Sequence, residues 1–400
     1  MSPGLEAATY YVAKTGNNNN AGTLTTPWLT IAKALSTASG GDTIYVRAGT
    51  YSEGDKVISG PSGSASAPTV LAAYQGESVQ LIGSGNSGRV ALDALSYFTI
   101  DGLTISNLNQ GVYIRNGCHD IVVKNCNLGN VGQEIFRVLQ DSYNVTLSNC
   151  FIHDGGVLAS SNGEGVYIGT AASDVRDNTH HVVISSNIIT RTKSESIEFK
   201  EGSHDCIAEK NVISVGCTTD YPASCIEVDN AATWPSNPNH IVRNNIIFDP
   251  GSRCHGIRAG TGVLIYNNII WGISSGKYAV VVDNASSDSY PRRIYNNTMD
   301  VVSSRAISIS GGTAYVTNNI GPSSAGNTLN DTAFYANAAN HDYHLVPGTG
   351  VIDVGANLRT YVPADYDGNT RPTSAAFDMG AFEYLGVKPL PPQNLRLVSP

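Results

Sequence analysis

HIVRNNII (240–247), VLIYNNII (263–270) and RRIYNNTM (292–299) are three copies of one phrase. Apolar residues alternate along its first half, an Asn follows, and two mostly apolar residues close it. VVKNCNL (122–128), VTLSNCFI (145–152), VVISSNII (182–189), IAEKNVI (207–213) and AYVTNNI (314–320) repeat it. The aligned residues are Cys126, Cys150, Asn187, Asn211, Asn245, Asn268, Asn297 and Asn319, and Gly102 of IDGLTI (100–105) fits one copy earlier. Successive steps are 24, 24, 37, 24, 34, 23, 29 and 22 residues. Alternating apolar residues argue for strands. A short period with occasional insertions marks a solenoid of stacked coils. Stacking sets equivalent residues about 4.8 Å apart, so columns of the alignment become columns in space. Asn suits the tight corner of each coil, where its amide can bond the next copy.

The 400 residues therefore read as one elongated all-β body rather than two globular domains. Only 14% of residues are charged, and 41 Gly with 20 Tyr fit a strand-and-turn chain. A net charge of −9 leaves no basic footprint, so nucleic acid is not an expected partner. A polyanionic ligand would need local cations or a bound metal. No apolar run reaches the roughly 18 residues of a membrane span. MSPGLEAATYYV (1–12) holds no full signal peptide, although LEAA reads as a leader remnant or appended sequence. The Pro-rich end, VKPLPPQNLRLVSP (387–400), reads as a linker to a further module, with the solenoid domain at 9–386. Together these features predict a monomeric module secreted by a bacterium.

None of the seven Cys has zinc-like spacing. Cys126 and Cys150 share a column and read as buried thiols or as a bonded pair, whereas Cys217 and Cys225 flank one insertion and are candidates to pair in an oxidising compartment. The pairs His119–Asp120, His180–His181 and His204–Asp205, with Asn144, recur in one register and read as turn formers before a strand.

An open solenoid end needs a cap. TPWLTIAKALSTA (26–38) has Leu29, Ile31, Ala32 and Leu35 at helical spacing, with Thr26 and Pro27 as start signals, so a short helix should cover the first coil. GGD (40–42) then leads into the strand TIYVRAGTY (43–51). The residues Tyr11, Gly16, Gly22, Pro27, Thr30, Ile31, Ala34, Gly41, Asp42, Thr43, Ile44, Val46, Gly49, Thr50 and Tyr51 resemble the N-terminal signature of the right-handed parallel β-helix proteins of the pectate-lyase-like superfamily. The ending DYDGNTRPTSAAFDMGAFEY (365–384) is also common in such proteins. The resemblance implies the fold over residues 9–384 but not one reaction, because the superfamily holds lyases, hydrolases, epimerases and adhesins.

A second strand aligns without gaps as GVYIRN (111–116), EIFRVL (134–139), GVYIGT (165–170), SIEFKE (196–201), CIEVDN (225–230), GIRAGT (256–261), AVVVDN (279–284) and AISISG (306–311). With alternate residues inward, one outward column runs Tyr113, Phe136, Tyr167, Glu198, Glu227, Arg258, Val281. The other runs Arg115, Val138, Gly169, Lys200, Asp229, Gly260, Asp283. Glu198, Lys200, Glu227, Asp229 and Arg258 thus fall on one face beside the aromatics. Cross-turn ion pairs on a solvated face are the plainer reading. Five charges concentrated in so weakly charged a chain argue instead for a saccharide-binding and catalytic floor, since aromatic faces pack on sugar C–H surfaces. The long steps insert loops near these turns, which would wall the groove with Glu164, Asp174, Arg176, Asp177, Tyr221 and Trp234.

Two chemistries suit this floor. In β-elimination of a uronate, a base takes the proton beside the sugar carboxylate while a cation neutralises that carboxylate. Lys200 and Arg258 are the candidates, with Glu195, Glu198, Glu227 and Asp229 as oxygen ligands for calcium. ESIEFKEGS (195–203) resembles the Glu-x-x-x-x-Lys segment of the chondroitinase-B and alginate-lyase-like β-helix family, with Glu195 and Lys200 in the matching places. That family follows with Arg-His-Gly one turn later, where this chain has IEVDNA (226–231). Glu198 and Glu201 should raise the Lys200 pKa, which a bound cation would reverse. A glycoside hydrolase would instead use Glu198 with Glu227 or Asp229 as acid and base or nucleophile. A non-catalytic carbohydrate-binding solenoid is the third reading. An epimerase is disfavoured, since FDPGSR (248–253) lacks the His of an Asp-Pro-His segment.

Overall fold

In the computed structural model, described for residues 7–386 apart from 55–56, 59, 84–86, 158–162, 172–176, 218–222, 231–237, 284–289, 303–305, 323–326 and 329, the chain is a right-handed parallel β-helix. Three parallel sheets of 13, 12 and 10 strands run along its length. One coil shows the plan: His119–Lys124 lies in the first sheet, Asn127–Val131 in the second and Phe136–Val138 in the third. Inward residues of all three sheets form one apolar column, from Val12 and Trp28 to Met299 and Ile307.

The sharp corner between the first two sheets explains the repeated phrase. Gly102, Asn125, Asn149, Ser186, Lys210, Asn244, Asn267, Asn296 and Asn318 occupy it with φ from +51° to +74°. Asn tolerates this left-handed conformation better than other side-chain-bearing residues. The next residue turns inward and forms the ladder. Asn211 Oδ1 accepts from Asn187 N and Nδ2 at 3.0 Å, and its Nδ2 donates to Asn245 Oδ1 at 3.0 Å and Ile184 O at 2.9 Å. The pattern continues through Asn268, Asn297 and Asn319. Upstream, Cys126 and Cys150 fill the same column as thiols. Gly102 is not its earlier member: Asn127 pairs with Thr104, so Leu103 holds the ladder position and Gly102 the corner.

The His-Asp pairs are turn formers: Asp120, Asn144, His181 and Asp205 all have φ between +52° and +55°. The capping helix spans Ile31–Thr37, with Thr30 rather than Thr26 as its N-cap; Ile31, Ala34 and Leu35 are buried, and Leu29 and Ala32 are exposed. Glu53 carries the cap further by accepting from Ile31 N and Ala32 N. At the other end, Tyr343, Leu345, Val351 and Phe382 cover the outward residues Ile246, Ile269 and Trp271 of the second sheet. A buried Arg371–Glu383 ion pair at 2.6 Å anchors the closing motif. Cys217 bonds to Cys254 rather than Cys225, which lies fully inside the coil as a thiol.

Candidate active site

The third sheet carries the site. Ile197–Phe199 lies between Val166–Ile168 and Ser224–Val228, and His255–Arg258 follows. Ile197, Phe199, Ile226, Val228 and Ile257 point into the core at 1% exposure or less, which forces the residues between them outward. Register sets Glu198 beside Glu227 and Glu227 beside Arg258.

Lys200 bridges two carboxylates, with Nζ 2.7 Å from Glu198 Oε1 and 2.7 Å from Asp229 Oδ2. Arg258 Nη1 lies 2.7 Å from Glu227 Oε1, and its Nη2 is 3.6 Å from Asp283. The Tyr167 ring sits 5.6 Å from Lys200 Nζ. Burial acts to lower the Lys200 pKa, but Glu198 and Asp229 outweigh it and raise the pKa. Asp229, not Glu201, is thus the second carboxylate acting on the ammonium. Burial also pushes Glu198 well above the carboxylate range and Glu227 up to about 8, although Arg258 opposes the latter shift. Burial and the neighbouring carboxylates Glu134 and Glu195 raise Glu164.

Glu198, Glu227 and Asp229 each offer an oxygen within 4.8 Å of the others, and Glu198 closes a second triad with Glu164 and Glu195. The four acids expected to form one ligand set therefore divide into two groups sharing Glu198. Among the described residues, Glu227 Oε2 is buried with no hydrogen-bond partner, and so is Arg258 Nε. Such orphaned atoms are rare in folded proteins, and they fit a floor shaped to meet a ligand. The orphaned oxygen in an all-oxygen cluster is what a hard divalent cation requires.

Register overturns two residues of the expected outward columns, Phe136 and Val138, both fully buried. Val112 pairs with Phe136 and Tyr113 with Arg137. Phe136 therefore points inward at 0% exposure, and Arg137 takes its outward place. Two consecutive apolar residues, Ile135 and Phe136, allow either register, and a one-residue slip exchanges the faces. The cost of burying an unpaired Arg is a signal in the sequence that favours the second register without deciding it. Tyr113 is outward but only 7% exposed, capped by Arg89 and Arg137. Asp177 is no wall: its carboxylate accepts from Gln140 N, Asp141 N, Thr170 Oγ1 and Thr179 N. Glu164 joins the acidic row, and Asp174, Arg176, Tyr221 and Trp234 lie outside the described residues.

Residues 10–166 match the family described as the Pel9A-like right-handed β-helix region. Over 135 residues the chain is 36% identical to pectate lyase PEL9 of Emericella nidulans, an alignment covering 30% of this chain and 33% of that protein. The chain thus matches about a third of its curated relative's length, and the family match ends at residue 166, before Glu195–Arg258. An alginate lyase from Paenibacillus sp. str. FPU-7 superposes with a TM-score of 0.62 at 19% identity, covering 77% of this chain and 97% of that one. Pectate lyase Pel9A superposes with a TM-score of 0.62 at 14% identity, covering 95% and 98%. With its stacked coils and Asn ladder, the chain is a right-handed parallel β-helix protein whose N-terminal part is similar to the Pel9A-like β-helix family.

Proposed function

We propose that the protein is an extracellular polysaccharide lyase that cleaves a uronate-containing chain by β-elimination on the face formed by Glu198, Lys200, Glu227, Asp229 and Arg258. The single observation behind this reading is the Lys200 ammonium held between Glu198 and Asp229 beside Arg258, a cationic row in an otherwise acidic floor. The lyases to which the chain is similar support the reaction class, and the Cys217–Cys254 disulfide supports an oxidising compartment.

Lys200, as the neutral amine, takes the proton α to the sugar carboxylate and becomes the ammonium. The C–H electron pair becomes the double bond between the α and β carbons, the β C–O bond breaks, and the departing oxygen takes a proton from water to become a hydroxyl. Arg258, whose side chain is 25% exposed, meets the substrate carboxylate and holds charge that builds there. Glu198, Glu227 and Asp229 would hold a divalent cation, calcium by its preference for carboxylate oxygens, which when bound neutralises the substrate carboxylate. With Glu198 and Asp229 so engaged, Lys200 keeps the burial that lowers its pKa and loses the partners that raise it.

Incubation with polygalacturonate, alginate and chondroitin, with calcium or with chelator, tests this. Unsaturated product absorbing in the ultraviolet supports the reading, and its absence on every acidic polymer refutes it. A glycoside hydrolase is the second reading, favoured by Glu198 and Glu227 side by side with raised pKa values. New reducing ends without that absorbance identify it.

A further inference from the structure

Arg137 stands in the outward column two strands before Lys200, with Val166–Ile168 between. Its guanidinium carbon lies 4.4 Å from the Tyr167 ring centroid and 5.4 Å from that of Tyr113. The charged plane is thus gripped between two rings. Nη1 meets Glu134 Oε1 at 3.0 Å, and Gln110 Nε2 fixes the other Glu134 oxygen at 2.9 Å. Among the described residues Arg137 Nε is buried with no acceptor, while the side chain as a whole keeps 16% of its surface exposed. A guanidinium held rigid and partly open to the groove is a site for a planar anion.

Its place in the ladder says which anion. Arg258 lies two strands beyond Lys200 on the other side. At about 4.8 Å per strand, the row presents a cation about 10 Å to either side of the lysine. An extended chain of pyranoses advances about one sugar per coil and turns every second sugar the same way. We propose, building on the lyase reading above, that Arg137 binds the carboxylate of the uronate two sugars away from the one at Lys200. The substrate is then a polyanion laid along the solenoid axis with a free carboxylate at that second position.

The test is calorimetric titration with galacturonate and mannuronate hexamers and their carboxyl-reduced forms, in a Lys200→Ala background that binds without turnover. Arg137→Gln weakens binding of the charged hexamer about ten- to hundredfold and leaves that of the reduced hexamer unchanged. Arg137→Lys, which keeps the charge, recovers part of the loss and guards against a folding defect. With Lys200 intact, Arg137→Gln raises KM on the polymer more than it lowers kcat. Equal weakening of charged and reduced hexamers, or unchanged binding of a charged hexamer that the parent protein does bind, overturns this inference and leaves the lyase reading standing. If neither charged hexamer binds the parent protein, the polyuronate reading falls and this inference with it.

Discussion

The Asn ladder and the charged face of the third sheet use the same geometry to opposite ends. Both are columns of polar residues stacked coil on coil. In the ladder each described amide is satisfied: Asn245 accepts from Asn211 and donates to Ala208 O and Asn268 Oδ1. On the third sheet neighbouring carboxylates face one another, and Arg137 Nε, Glu227 Oε2 and Arg258 Nε lack partners among the described residues. A satisfied buried column contributes stability, whereas an incomplete one costs stability unless something completes it. The contrast marks the third sheet as the functional face more firmly than the number of charges does.

Substitutions should separate the two columns. The largest effect is expected from Lys200→Ala, which should lower the rate of unsaturated-product formation about 10²- to 10⁴-fold, far more than the stability lost by leaving Glu198 and Asp229 without their cation accounts for. Unchanged turnover would remove Lys200 from the chemistry. Asn245→Ala should do the reverse. It leaves Asn211 N without its acceptor, costs Asn211 Nδ2 one of two acceptors, and removes the donor to Ala208 O, Arg243 O and Asn268 Oδ1, so a loss of about 3–5 kcal/mol in denaturant unfolding is expected. A variant as stable as the parent would mean the ladder is ornamental.

The pH dependence sharpens the comparison further. Glu227 titrates near 4.5 when unfolded and near about 8 when folded, so the unfolded chain loses its proton first as pH rises. Stability should therefore fall from about pH 4.5 to about 8 and level off above, and Glu227→Gln should flatten that limb. His240 behaves oppositely. Burial against Phe199 lowers it from 6.5 to about 3, so its contribution is present above 6.5 and lost as pH falls toward 3. His240→Gln should flatten the acid limb, read from unfolding midpoints across pH. The smallest effect belongs to a cross-coil pair in open solvent. Lys124 meets Asp101 at 3.3 Å but is 41% exposed, and Lys124→Ala should change stability by less than about 0.5 kcal/mol. A larger loss would mean that stacked charges matter wherever they sit.

Much of this was legible before any coordinates, because a solenoid turns spacing into position. The aligned Asn column is the ladder, and Glu198, Lys200, Glu227, Asp229 and Arg258 do meet on one face. Legibility failed wherever a choice of one residue depended on packing. Leu103 rather than Gly102 turns inward because glycine serves the left-handed corner. Cys217 finds Cys254 across 37 residues because stacking brings two corners together, which proximity in sequence to Cys225 does not reveal.

The sequence by itself determined the period, the corner chemistry and the alternation that turns acids and bases outward, because each is a local property of the backbone repeated coil after coil. Only the tertiary structure decided that Arg137 and not Phe136 faces the groove, that Asp229 and not Glu201 holds Lys200, and that Glu164 joins Glu195 and Glu198. Those outcomes rest on which apolar side chains fill the interior of neighbouring coils, and a shift of a single residue there exchanges inside for outside.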